Sequence, residues 1–228
     1  MAKVELILLE ATLCHGNHSF QNWSIIVRAF LFTLGIDALY LTDFLDLVNM
    51  AVDLPELDEP EKAGLLRTRW FPLVMTEAAT FQVVMLLAAS HYASLRQTRE
   101  HGPSLLQQKS KALALIRDAL PAKGPSDQLI GAVAKMASYE AMFGDPISFE
   151  EHMKGLVKMV QVRGGLSALG LNGMLARICV WIDRNSAALN NSAIHFTSVP
   201  EDLSTQVNPS GFLAFNDHSK LVDRVCEL

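Results

Sequence analysis

Residues 148–187 read SFEEHMKGLVKMVQVRGGLSALGLNGMLARICVWIDRNSA, and the architecture follows from them. Ser148 with Glu151 three residues later makes a capping box, which starts a helix at Ser148. Met153, Leu156, Val157 and Val160 then recur at three- and four-residue spacing, the signature of a buried helical stripe. Arg163-Gly164-Gly165 ends this helix, because glycine takes the left-handed conformation that releases the last carbonyls. After a short turn, Leu166 to Gly170, Asn172 caps a second helix with Leu175, Ile178, Trp181 and Ile182 on one face. The product is a helix–turn–helix hairpin with a double-glycine corner. Arg163 and Asp183 are expected to brace that corner as an ion pair. His152 is expected to bond a carbonyl or a Glu across the hairpin.

Outward from the hairpin the same helical period continues. Ser126 caps a helix that turns Leu129, Ile130, Val133, Met136, Ala137 and Met142 inward and stops at Gly144. Before it, Gly102-Pro103 restarts the chain, and Leu105, Leu106, Leu113, Ile116 and Leu120 mark a helix that ends at Pro121. Pro72 suits the first turn of a helix running to about Gln97. Within it, residues 78–95 carry no formal charge, and Gln82, Ser90 and His91 make them a buried core helix rather than a membrane span. Glu61 to Arg69 reads as helix, and the preceding LPELDEP (54–60) as an acidic linker. Residues 20–52 fit one long helix, or two with a joint near Gly35. Residues 194–199 suit an extended segment, and residues 216–226 a last helix. Sustained alternation of period two is missing, which argues against a sheet. The expected fold is all-α: a single bundle of antiparallel helices with an apolar central cavity. Its expected organisation is an N-terminal arm (1–19), a helical domain (20–190) and a tail with a short helix (191–228).

The order of motifs also carries a resemblance. His152-x-x-Gly155-Leu156, Met159-Val160, Arg163-Gly164-Gly165-Leu166, Leu169-Gly170, Gly173 and Trp181-Ile182-Asp183 resemble the all-helical regulatory domain of fungal zinc-cluster transcription factors. The resemblance is strongest from about Trp70 to Ala187. It implies a helical domain, often with an apolar cavity, sitting C-terminal to a DNA-binding zinc cluster. Such a cluster needs six neighbouring cysteines, and the chain has Cys14, Cys179 and Cys226. These cannot assemble it.

Composition narrows the function. The 228 residues are 50% hydrophobic and 19% charged, enough apolar material for one large core. A mean hydropathy of +0.22 calls for extensive helix burial, an apolar cavity or a homodimer face. The net charge of −5 supplies no basic face for phosphates, so direct nucleic-acid binding is not expected. Sparse cysteines fit a reducing compartment. The first residues, interrupted by Glu5 and Glu10, do not make a signal peptide. A cytoplasmic protein is expected, or a nuclear one if it is a regulator.

Motifs for nucleophilic, metal and nucleotide chemistry are missing. Cys14, His15 and His18 lie close together but lack a fourth ligand, so no metal and no cofactor is expected. Polar and aromatic residues set among apolar helical neighbours remain as candidates. His91, Tyr139 and Glu140 are the expected catalytic groups, able to hydrogen-bond a substrate carbonyl. Trp70, Gln82, Tyr92, Met142 and Trp181 are the expected ligand-binding residues. Two functions fit them. The first is cofactor-free cyclisation, isomerisation or pericyclic ring closure of an apolar terpenoid or polyketide-like molecule, driven by conformational templating in fungal secondary metabolism. The second is effector binding or dimerisation by a transcriptional regulator without its own DNA-binding domain.

Overall fold

A computed structural model describes residues 54–59, 62, 64–96, 102–203 and 206–208. The chain divides into two compact units, Met1–Asn49 and Met50–Leu228, and all described residues belong to the second. The expectations for residues 1–52, for Cys14, His15 and His18, and for a helix over 216–226 lie outside the described residues.

Among the described residues, six α-helices carry the fold: α1 (Phe71–Val74), α2 (Ala78–Arg96), α3 (Gly102–Lys123), α4 (Asp127–Phe143), α5 (Pro146–Val162) and α6 (Met174–Asn190). No strand occurs among the described residues, so the fold is all-α. Helix α4 is the centre. It packs against α2, α3, α5 and α6, and its residues 129–134 and 136–140 are buried. Helix α2 is as deeply set, with every residue from Ala79 to His91 buried. A helix that is apolar all round belongs inside a protein, and no single described helix is long and apolar enough to cross a membrane. Helix α3 is peripheral. It buries only Ala112 and rests mainly on α2.

Several local expectations hold. Ser126 Oγ accepts the Leu129 amide at 3.3 Å and caps α4, which ends at Gly144. Helix α3 begins at Gly102. Gly164 and Gly165, at φ 100° and 95°, form the corner after α5, where a β-carbon would be strained.

Other expectations need correction. Helix α5 starts before Ser148, because Asp145 is the cap and accepts the Ser148 amide at 2.9 Å, with Pro146 in the first turn. Helix α6 is capped at Gly173, not Asn172. Leu171, Asn172 and Gly173 all have positive φ (59°, 54° and 81°), so Asn172 cannot take the extended backbone of a cap. The helix expected from Pro72 to Gln97 breaks at Met75–Glu77, where its two parts meet at 111°. Pro121 lies inside α3, which continues to Lys123. So near the C-terminus the missing N–H removes a single helical bond. Residues 55–57 of the expected linker form a 3-10 turn that sinks Leu57 to 1% exposure. The helix expected over Glu61–Arg69 is replaced by a π-helical turn, Leu66–Trp70, started by Asp58, which accepts the Gly64 and Leu65 amides at 3.1 and 2.9 Å. Arg163 pairs with Asp127 at 2.9 Å rather than with Asp183. Met142 is only half-buried. Residues 194–199 form no strand.

Candidate functional site

A polar point in the core lies where α3, α4 and α5 meet, and Glu140 is its centre. Its side chain is wholly removed from solvent. Lys109 of α3 places its ammonium 2.7 Å from Oε1 and 3.0 Å from Oε2. The Asp145 amide donates to Oε2 at 3.3 Å, and His152 Nε2 stands 3.8 Å from Oε1. At that distance the two groups face each other without a hydrogen bond, so the bond expected from His152 to a Glu across the hairpin is not made with Glu140. A buried carboxylate is tolerated only with such partners. Gly144 makes room for it, since a β-carbon there would stand 1.7 Å from Glu140 Oε2. The Lys109 ammonium also lies 5.5 Å from the centre of the Tyr139 ring, a cation–π distance. Burial raises the Tyr139 phenol above its ordinary pKa, with Lys109 opposing. Burial likewise holds the His152 imidazole below its ordinary value, against the pull of Glu140.

A second feature continues along α4. Gly131, Lys135 and Tyr139 follow at four-residue spacing and occupy one strip of the helix. The Trp70 indole, delivered by the π-helical turn, lies on Gly131, where a β-carbon would meet its Cη2 at 2.5 Å. Its ring centre is 5.9 Å from the Lys135 ammonium. Lys135 has no carboxylate partner among the described residues, and burial lowers its pKa to about 8. Cys179 of α6 is fully buried beside it, its thiol pushed up to about 12 by burial, so it stays protonated and unreactive.

The expected site residues therefore separate. Tyr139 and Glu140 share Lys109. Trp70 joins the Lys135 end of the strip. His91 is buried on α2, and its main-chain carbonyl accepts from Ser94 Oγ at 2.7 Å. Gln82 is 1% exposed, and its Oε1 has no hydrogen-bond partner among the described residues. Trp181 is buried on α6, and Tyr92 lies on α2. Sequence reading passed over Lys109 and Lys135. Lys135 had a visible signal, a lone cation in the apolar run IGAVAKMASYEAM (130–142). Lys109 had none, because its partner comes from another helix.

Asp183, expected at the hairpin corner, holds the chain after α6 instead. Its carboxylate accepts the His195 amide at 3.0 and 2.9 Å and the Phe196 amide at 2.8 Å. His195 Nδ1 faces it at 3.0 Å, while Nε2 faces Glu150 of α5 at 3.1 Å. His195 thus ties α5, α6 and the segment after α6 together.

Residues 60–213, more than half of the chain, match the model of the fungal specific transcription factor domain. The chain belongs to that family. The match spans the Glu140 centre, the Lys135 strip and the Asp183 clasp. Neither curated proteins nor solved structures give a significant match.

Proposed function

We propose that this chain is a regulatory domain of the fungal transcription-factor type, which binds an apolar effector among its helices and passes the change to a partner protein. The observation that carries this reading is the family match over residues 60–213. The chemistry of the core supports effector binding over ring closure. Glu140, expected to activate a substrate carbonyl, is held in an ion pair with Lys109, and its Oε2 also accepts the Asp145 amide. The partnerless acceptor of Gln82 suits a ligand donor, since a buried acceptor without a bond is costly. The net charge of −5 favours DNA contact through another protein or segment, and a nuclear place of action goes with the transcription-factor family.

The test fuses the chain to an unrelated DNA-binding domain in a yeast reporter strain, with and without extracts of fungal cultures. Reporter output that changes at least threefold on adding an extract is the expected result. An unchanged reporter, together with conversion of an apolar polyene to an isomer of equal mass by the purified chain, would replace the regulator by the catalyst.

A further inference from the structure

Lys135 is used by nothing described so far. It stands in the middle of the central helix α4, on the strip that also carries Gly131 and Tyr139. Trp70 lies on Gly131, one turn before it, and Tyr139 lies one turn after it, 7% exposed. Lys135 itself is half-buried, so its side chain keeps some contact with solvent. Glu140, Asp127 and Asp183, the nearest buried or half-buried carboxylates on α4 and α6, are committed to Lys109, Arg163 and the His195 segment. A structural lysine takes a carboxylate partner when it is drawn out of water. Lys135 has an indole face at 5.9 Å instead. The indole arrives on a π-helical turn, an irregularity often found at functional sites.

An amine with no carboxylate partner among the described residues, facing an indole, suits a reactant that is apolar and needs no charge partner. We propose that Lys135 captures a small apolar aldehyde as an imine. The neutral Lys135 nitrogen adds to the carbonyl carbon, forming the C–N bond. The carbonyl oxygen then leaves as water with the two amine protons, and a C=N bond remains. No oxidant or reductant takes part. The imine is neutral at neutral pH, so capture relieves the burial of the ammonium, and water reverses it. The lowered pKa of about 8 agrees, because it provides neutral amine near pH 7. This inference concerns one residue's chemistry and stands apart from the reporter experiment above.

The test incubates the full chain with limiting hexanal and sodium cyanoborohydride at pH 7, and locates the alkylated lysines by peptide mass spectrometry. Exposed Lys158 is the internal reference. Lys135 is expected to be alkylated at least tenfold faster than Lys158. That ratio should fall as the pH approaches 10, where ordinary lysines also lose their protons. Lys135→Arg should abolish the fast site while leaving Lys158 unchanged. A parallel series with formaldehyde separates reactivity from fit. Lys135 labelling no faster than Lys158 with either reagent overturns the proposal. Fast labelling by formaldehyde alone also overturns it, because the site would then reject an apolar chain.

Discussion

Lys135 and Glu140 sit five residues apart on α4 and illustrate two fates of a buried charge. Glu140 is paired with Lys109 and accepts the Asp145 amide through Oε2, so removing the partner set or the carboxylate leaves a charge alone. Glu140→Ala should destabilise the fold by about 3–5 kcal/mol, the range for breaking a buried pair, measured by urea unfolding. Lys109→Met together with Glu140→Leu should recover much of that loss. Lys135 is the opposite case. Its pKa is about 8 in the fold and about 10.4 in an unfolded chain. Below pH 8 both states are protonated and the full cost of burial is present. Between about 8 and 10.4 the unfolded chain binds more protons, so stability rises with pH. Lys135→Met should therefore stabilise the protein at pH 7 by roughly 1–3 kcal/mol, and the advantage should vanish above about pH 10.4. An equal or lower urea midpoint for the variant would show that the amine is not strained by its surroundings.

At the level of elements, the joints are set by single residues with no freedom to change. Gly144 admits the Glu140 carboxylate at the turn between α4 and α5. Gly144→Ala should force that carboxylate off Lys109 and cost at least about 2 kcal/mol in the same unfolding assay. The segment after α6 hangs on Asp183, whose carboxylate accepts three donors from His195 and Phe196. Asp183→Asn loses part of this set. Hydrogen exchange should then speed up at the His195 and Phe196 amides by tenfold or more, while the α4 amides stay protected. Equal loosening of α4 would mean that Asp183 supports the core rather than the segment.

For the molecule as a whole, Glu59 joins parts far apart in sequence. It pairs with Arg69 at 2.6 Å in the π-helical turn, with Arg177 at 3.3 Å in α6 and with Lys62 at 3.3 Å. The hydrogen bond from Arg69, with help from Lys62 and Arg177 and against some desolvation, holds the Glu59 carboxyl down to about 2. Its folded pKa lies below the unfolded value, so its contribution is whole above about pH 4.5 and is lost as pH falls towards 2. Glu59→Gln should thus be less stable than the parent by a constant margin from pH 7 to about 4.5, and the two should converge near pH 2. A margin that closes at neutral pH would show that the cluster carries no such linkage.

Much of this was legible in the linear chain. Helical period, the Ser126 cap, the Gly144 stop and the Gly164-Gly165 corner are local, because each depends on neighbours within a turn of helix. The family motifs of 152–183 are local in the same sense. What tertiary structure alone decided were choices between local rivals and pairings at a distance. Asp145 out-competed Ser148 as a cap, and the helix expected from Pro72 to Gln97 broke before α2. Arg163 found Asp127, Lys109 found Glu140, and Asp183 found His195, each across a gap of sequence that no period encodes. A hydrogen-bonding side chain takes whichever partner packing brings within about 3 Å, and packing is a property of the assembled helices. Local sequence determined the helices from α3 to α6 to within a few residues at their ends. Their assembly left Lys135 on the central helix facing an indole rather than a carboxylate.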